Sequence, residues 1–260
     1  MALVMPGPRH SLRSIRHVTE ILRSKVNSVA KITHPGRPPI VRKIYGPRAL
    51  ATGIALPVKR SLIERRVCAE LARRRGSTRQ GVTVAASKAG TSLINFMPYI
   101  DGEPLRFLAP TEWPKANQLR ELGKFLAETE RVIGLSLFRG LVLTSQRLGR
   151  IIRLYKAGTN AVGRGRYFSF GDVTLANVLL TPRGLHLLDF EFAHLSSGGF
   201  DVGMLTSEID QLIKRGIALR YARAALIQGY TSAGGKLANV LLWRARLTKY
   251  QALRTKRSGG

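Results

Sequence analysis

The sequence predicts an α+β protein with two lobes: a small amino-terminal β-sheet lobe with one helix, and a larger, mainly helical carboxyl-terminal lobe that carries a β-hairpin. Three observations support this fold class. Short apolar runs separated by Pro and Gly occupy the amino-terminal third. Two further apolar runs flank a turn at Arg183. From residue 203 onward, apolar residues recur mainly at helical spacing.

We expect four parts along the 260 residues. These are a flexible basic tail (1–19), the amino-terminal lobe (20–98), the carboxyl-terminal lobe (99–253) and a frayed tail (254–260). The first part contains Pro, Arg and His and no acidic residue, which is typical of a loosely held terminus. The larger lobe begins with an amphipathic helix around Leu119–Ile133, and Leu141–Tyr155 predicts a second one.

The amino-terminal lobe contains one strand and one helix with polar residues of interest. The β-branched run Pro39–Tyr45 predicts a strand carrying Lys43. Arg42 is the alternative, because a slip of one residue exchanges the two faces of a strand. Ser61–Arg75 predicts a helix in which Ser61 is a candidate N-cap.

Glu64 has two open interpretations. It lies at the capping-box position after Ser61. It also shares an apolar face with Val67, Cys68 and Leu71, at helical spacing, which would point its carboxylate inward.

The hairpin is predicted by the runs Val178–Thr181 and Leu185–Leu188, with residues 182–184 as the turn. If the turn centres on Arg183, Asn177 and Asp189 are equidistant from it and face each other at the open end.

Asp172 lies five residues before Asn177, close enough for the loop to fold back, so three oxygen-bearing side chains would converge. Amide and carboxylate oxygens suit Mg²⁺, and a second carboxylate nearby can accept the proton of an attacking hydroxyl. Asp-x-x-x-x-Asn and Asp-Phe each arise by chance, but their combination on one hairpin indicates phosphoryl transfer.

Residues 171–203 resemble the catalytic segment of the aminoglycoside phosphotransferase and choline kinase group, small-molecule kinases with a protein-kinase-like fold. The matching elements are Gly171-Asp172, Asn177, Leu187-Leu188-Asp189-Phe190-Glu191 and Phe200-Asp201-Val202. The resemblance implies that Asp172 is the catalytic base, that Asn177 and Asp189 hold Mg²⁺, and that Asp201 anchors the catalytic loop.

The resemblance also implies an ATP site in the amino-terminal lobe. Lys43 would contact the α- and β-phosphates and pair with Glu64. Backbone groups in the strand Thr91–Ile100 would bind adenine, and the residues concerned are Asn95, Phe96 and Met97, with Pro98 closing the segment. The loop expected to cover the phosphates falls at Ser24–Ala30 and contains no Gly.

Two residues depart from related patterns. Phe170 stands where most members of the group have His, and an apolar side chain there can fill the same packing site. Glu191 stands where protein kinases have a Gly that lets the activation segment swing, which favours the small-molecule branch.

The formal net charge of +28 attracts polyanions, so contact with tRNA or an anionic membrane surface is an open possibility. Zinc-ligand spacings and RNP-like aromatic sequences are missing, which argues against a dedicated nucleic-acid binder. Besides the catalytic set, only Glu191, Glu208 and Asp210 are acidic near the catalytic segment. This scarcity favours a neutral or anionic hydroxyl compound, such as a sugar or glycan, over a polycationic antibiotic.

The single Cys68 excludes a disulfide within the chain, which fits a reducing cytoplasm. No apolar run reaches the ~18 residues of a membrane span, and residues 1–19 lack a signal-peptide core. We therefore expect a cytoplasmic enzyme that uses ATP and Mg²⁺ to phosphorylate a hydroxyl of a small molecule or glycan.

Two alternatives stay open. One is a compact atypical protein kinase or ATPase associated with tRNA modification, whose Gly-Asp-Leu-Thr segment is echoed by Gly171-Asp172-Val173-Thr174. The other is an inactive kinase-like basic scaffold, suggested by Phe170 and the glycine-free loop.

Overall fold

A five-stranded antiparallel sheet forms the amino-terminal lobe. The computed structural model describes residues 18–22, 27–46, 57–73, 82–84, 89–90, 93–133 and 167–258. The strands of the first lobe are β1 (Val18–Leu22), β2 (Ser28–Thr33), β3 (Ile40–Ile44), β4 (Val82–Val84), β5 (Ala89–Gly90) and β6 (Ile94–Pro98). All but β4 join this sheet, in the spatial order β1-β2-β3-β6-β5.

Helix α1 (Pro57–Arg73) lies against β6 and begins four residues before the N-cap that the sequence indicated. Pro is favourable at the start of a helix because its φ is already helical and its missing N–H has no acceptor there. The Ser61 hydroxyl donates instead to Oδ1 of Asn95, at 3.2 Å. The N-cap interpretation of Ser61 was therefore wrong. The capping-box interpretation of Glu64 was also wrong, because it required Ser61 as the N-cap.

The predicted hairpin is formed by β9 (Val178–Thr181) and β10 (Gly184–Leu187). It is flanked by β7 (Glu103–Pro104) beside β9 and by β4 in parallel beside β10. Because β4 comes from the amino-terminal part of the chain, the two lobes share this four-stranded sheet.

The predicted hairpin is confirmed, but its register differs by one residue. Gly184 has a φ of +117° and pairs with Thr181, which shortens the turn to residues 182–183. Asn177 therefore lies opposite Leu188, whose N–H donates to the Asn177 carbonyl at 2.9 Å, and Asp189 is one residue further on.

In the described part of the chain, four helices build the larger lobe: α2 (Ala116–Val132), α3 (Phe200–Lys214), α4 (Arg220–Ser232) and α5 (Leu237–Ser258). A 3₁₀ turn precedes them at Pro110–Glu112, and a small antiparallel pair, β8 (Tyr167–Ser169) with β11 (His194–Ser196), flanks the hairpin. Helices α2 and α4 approach closely at Gly229, which has no side chain to keep them apart. A Cβ at this position would lie only 2.0 Å from the Arg120 carbonyl oxygen.

The two-lobed α+β fold is confirmed, with small corrections at its ends. β1 begins at Val18, inside the range expected for the tail, and α5 continues to Ser258, beyond residue 253. Residues 1–17 and the predicted helix Leu141–Tyr155 lie outside the described residues. No helix in the described part of the chain is both long and apolar enough to cross a bilayer.

Candidate active site

Asp172 and Asn177 meet beside the open end of the hairpin. Nδ2 of Asn177 donates to Oδ2 of Asp172 at 3.0 Å and to the Asp172 backbone carbonyl at 2.9 Å. The turn between them is closed by the Asn177 N–H, which donates to the Thr174 carbonyl at 2.9 Å. Because Nδ2 makes both contacts with Asp172, Oδ1 is the amide atom left to bind a cation.

Asp201, near the start of α3, holds the loop that precedes Asp172. Its carboxylate accepts hydrogen bonds from the N–H of Phe170 at 2.8 Å, from the N–H of Gly171 at 3.0 Å and from the Ser169 hydroxyl at 2.9 Å. Charge-assisted bonds of this kind are stronger than neutral ones. This geometry is what a loop-anchoring role for Asp201 requires.

Phe170 fixes the same loop by packing. Its ring lies 4.9 Å from the ring of Phe168 and 5.0 Å from that of Phe190. The following Gly171 has a φ of +86°, and a Cβ there would lie 2.1 Å from the Phe192 carbonyl oxygen. The apolar residue at this position therefore anchors the loop through an aromatic cluster, next to a glycine that cannot be replaced.

Lys43 lies at the centre of a buried charge cluster. Its Nζ is 3.1 Å from Glu64 Oε2 and 2.7 Å from Asp189 Oδ1. Arg42, the alternative candidate, faces the other side of β3 because strand side chains alternate. Asp189 has a φ of +64°, in the left-handed region that only a few non-glycine residues adopt. The inward orientation expected for Glu64 is observed.

Sequence reasoning missed three members of this cluster. Arg60 is fully buried, and its Nη1 lies 3.1 Å from Glu191 Oε1, while Lys43 Nζ lies 3.3 Å from Glu191 Oε2. Asn27 bridges them, donating to Glu191 at 2.9 Å and accepting from Arg60 at 3.2 Å.

A sequence signal existed for one of these three. Arg60 precedes Glu64 by four residues and so shares its helical face, but placing the helix start at Ser61 left it outside the helix. Asn27 belongs to the expected phosphate-covering loop Ser24–Ala30, of which residues 24–26 lie outside the described residues.

The cluster shifts the protonation of its members. Burial alone would lower the pKa of Lys43, but the carboxylates of Asp189 and Glu64 outweigh it and raise that pKa, so Lys43 is charged. Burial, reinforced by the negative charge of Asp189, raises the pKa of Glu191 to about 7. Burial and then the Asp189 charge raise the pKa of Asp172 to about 8.

The donor atoms suit a divalent cation at the solvent side of the cluster. Oxygens of Glu64, Asp189 and Glu191 lie within 4.8 Å of one another, and Lys43 Nζ already contacts all three. Glu64 and Glu191 are inaccessible, whereas the Asp189 side chain is 29% exposed. Asp189 and Oδ1 of Asn177 are therefore the candidate oxygen ligands for a divalent cation.

Asn95 serves the interior of the lobe. Its side chain is fully buried and donates to the Tyr45 hydroxyl at 2.8 Å, and Tyr45 in turn bonds Glu64. Together with the Ser61 contact, this hydrogen-bond chain connects β6, β3 and α1. It leaves no exposed surface of Asn95 for a nucleotide.

The residues expected to bind adenine lie inside the sheet. Asn95, Phe96 and Met97 are all in register with β3, and Asn95 and Phe96 are also in register with β5. Beyond Phe96 the register with β5 continues toward residues 85–88, which lie outside the described residues. Adenine binding by Asn95, Phe96 and Met97 therefore stays a prediction.

The other acidic residues near the site are already engaged. Glu208 accepts a hydrogen bond from the Leu175 N–H at 2.7 Å, which stabilises the loop between Asp172 and Asn177. Asp210 pairs with arginines on the far side of α3. Cys68 is buried as expected.

Solved structures with the same fold are small-molecule phosphotransferases. The macrolide 2′-phosphotransferase of Brachybacterium faecium has a TM-score of 0.57 at 16% identity, over 94% of this chain and 87% of its own. An ethanolamine kinase of Plasmodium vivax has a TM-score of 0.56 at 10% identity, over 90% and 73%. An aminoglycoside phosphotransferase solved with GDP and kanamycin has a TM-score of 0.54 at 13% identity, over 96% and 91%.

No protein-family model and no curated protein matches this sequence. The likeness is therefore one of fold: this chain has the protein-kinase-like fold of the aminoglycoside phosphotransferase and choline kinase group.

Proposed function

We propose that this protein is an ATP- and Mg²⁺-dependent phosphotransferase that moves the γ-phosphate of ATP to a hydroxyl of a small molecule. The observation that carries the proposal is the Asp172–Asn177 contact beside the Lys43–Asp189 pair, on a fold that small-molecule kinases also have. Each partner in these contacts matches a role that phosphoryl transfer needs.

Asp172 orients the acceptor hydroxyl and, in its ionised form, takes its proton. Asn177 and Asp189 hold the cation, and the loop anchored by Asp201 keeps all three in place. When bound, Mg²⁺ neutralises phosphate charge. Lys43, kept charged and immobile by Glu64, binds the phosphates from the other side, so catalysis is mainly positioning and electrostatics.

Adenine would contact the chain just after β6. The Tyr99 N–H donates to the Pro39 carbonyl at 3.1 Å, so the backbone of Tyr99 faces β3. By alternation, the Pro98 carbonyl and the Ile100 N–H point away from β3, which gives one acceptor and one donor for a purine edge.

The acceptor is best matched by a neutral or anionic hydroxyl compound. A polycation such as kanamycin needs free carboxylates, whereas Glu191, Glu208 and Asp210 each bond to the chain itself. This argument supports a sugar or glycan hydroxyl, and efficient phosphorylation of kanamycin by this protein would contradict it.

An ATP-consumption screen against sugars, amino alcohols, aminoglycosides and peptides tests the function. We expect Mg²⁺-dependent turnover with at least one sugar or glycan, absent in Asp172→Asn. Consumption of ATP that is stimulated by tRNA and by no small hydroxyl compound would favour the tRNA-linked alternative. Mg·ATP binding without turnover on any acceptor would favour the scaffold.

A further inference from the structure

The far side of α3 carries a second charged region. Helices α3, α4 and α5 enclose an open groove of about 760 Å³. Its lining includes Asp210, Lys214, Arg220, Arg223, Leu241 and Arg244, and we call this set the basic groove. Asp210 lies nine residues after Asp201 on α3, about 13 Å along the helix axis from the catalytic loop.

Cations outnumber acids in the basic groove by four to one. Asp210 lies 2.6 Å from Arg223 Nη1 and also bonds Arg244, so one carboxylate holds two guanidinium groups. The side chain of Arg223 is 30% exposed and that of Arg244 is 28% exposed, and each guanidinium has further N–H donors. Lys214 and Arg220 add exposed charge at the rim.

Exposed leucines adjoin these cations. Leu237, Leu241 and Leu242 are 45%, 44% and 43% exposed on α5. Leu237 and Leu241 are four residues apart and so lie on one face of the helix, the face that lines the groove. No acidic residue follows Asp210 in the sequence, so nothing on α5 offsets its positive charge.

We propose that the basic groove and the leucines of α5 dock this protein on an anionic phospholipid surface. A headgroup phosphate would bind between Arg223 and Arg244, whose planar guanidinium groups match phosphate oxygens. The leucines would enter the boundary between headgroups and acyl chains, as in interfacial helices. The lipid surface has to supply both headgroup phosphates and acyl chains, because a phosphate alone would leave the leucines without an apolar partner.

The lining favours lipid over RNA. Proteins that bind single-stranded nucleic acid combine cations with aromatic side chains on which bases stack. No aromatic residue is among the described residues that line the groove, and the three exposed hydrophobic side chains on α5 are leucines.

Co-sedimentation of the full chain with vesicles tests the proposal. The vesicles contain phosphatidylcholine with or without phosphatidylglycerol, and an RNA oligonucleotide is assayed in parallel. Lys214→Glu/Arg220→Glu alters the groove charge, and Leu237→Ser/Leu241→Ser alters the apolar face. Arg37→Glu/Arg183→Glu is the matched control, since both arginines are exposed on distant turns and the net charge change is equal.

We expect wild type to bind only vesicles with phosphatidylglycerol. The groove variant should lose at least about tenfold in affinity and the leucine variant about fivefold, with the control within about twofold. Mg·ATP binding and the thermal melt, unchanged in all three, would show that the fold is intact. An equal loss of vesicle affinity in the control variant would overturn the proposal. The proposal would also fail if the leucine variant bound vesicles as tightly as wild type while the groove variant lost affinity for RNA.

Discussion

The active-site cluster and the basic groove are built from the same residue types in opposite proportions. In the cluster, the carboxylates of Glu64, Asp189 and Glu191 enclose Lys43. In the groove, two arginines enclose the one carboxylate of Asp210. The cluster is almost inaccessible to water, whereas the groove is open.

This difference separates internal structure from interaction surface. Acidic residues are scarce in a chain with a net charge of +28, so the place where three of them converge on one lysine is the candidate site of chemistry. A buried cluster has to be balanced by its own cations. An open excess of cations is not balanced internally, and it is available to an anionic partner.

Removal of the proposed base, Asp172, should have the greatest effect on activity. Asp172→Asn should lower kcat about 10²- to 10⁴-fold, because a positioned general base contributes on that scale. The affinity for Mg·ATP, measured by calorimetry, should change less than about threefold. Glu121→Gln, a carboxylate on α2 that pairs with Lys124 on the surface, is the matched control and should keep wild-type kcat. Wild-type turnover in Asp172→Asn would refute the assignment of the base.

The second prediction compares one arginine from each region. Arg60→Met leaves Glu191 buried without its nearest guanidinium and should lower the free energy of unfolding by about 3–5 kcal/mol. Arg223→Met removes a partly exposed pair and should cost less than about 1 kcal/mol. Urea denaturation measures both.

A double variant sharpens this comparison. Arg60→Met/Glu191→Met removes both buried charges and should recover most of the stability that Arg60→Met loses. If the double variant is as unstable as the single one, the pair does not act as a charge pair, and packing by the arginine stem explains the loss.

The third prediction concerns the buried His194, which packs beside Gly171. Burial lowers its pKa to about 4. Between pH 6.5 and 4 the unfolded chain therefore binds a proton that the folded chain does not, so stability falls as the pH falls, by up to about 3 kcal/mol at pH 4. His194→Gln should flatten this part of the stability profile relative to wild type. A parallel profile for the two proteins would contradict the prediction.

The smallest effect is expected at the edge of the cluster. Asn27→Ala removes the hydrogen bonds to Glu191 and Arg60 that hold the segment expected to cover the phosphates. These hydrogen bonds are worth about 1 kcal/mol. The KM for Mg·ATP should rise about fivefold while kcat stays within about twofold. A change in kcat without a change in KM would show that Asn27 acts on the chemical step instead.

Local patterns were enough to predict part of the cluster. The helical stripe indicated the inward face of Glu64, because it depends on neighbours within one element. The strand period left Lys43 and Arg42 as alternatives, because a slip of one residue exchanges their faces. The hairpin was predicted by its turn residues. Its register was not, because whether Gly184 belongs to the turn or to the ladder depends on its backbone conformation.

Contacts between distant elements were not visible in the sequence. The pair of Arg60 with Glu191 joins residues 131 positions apart, and the pairing of β4 with β10 depends on how the two lobes meet. The basic groove was not predicted either, because it depends on how helices α3, α4 and α5 are placed relative to one another.

Calorimetric titration of Mg·ATP into wild type and Asp189→Ala tests the central claim most directly. We predict Mg²⁺-dependent binding in wild type that weakens about 10- to 100-fold in Asp189→Ala, because a charged ligand of the cation is lost. Equal binding by the two proteins, or binding in wild type that persists unchanged without Mg²⁺, would contradict the assignment of Asp189 and with it the active site described above.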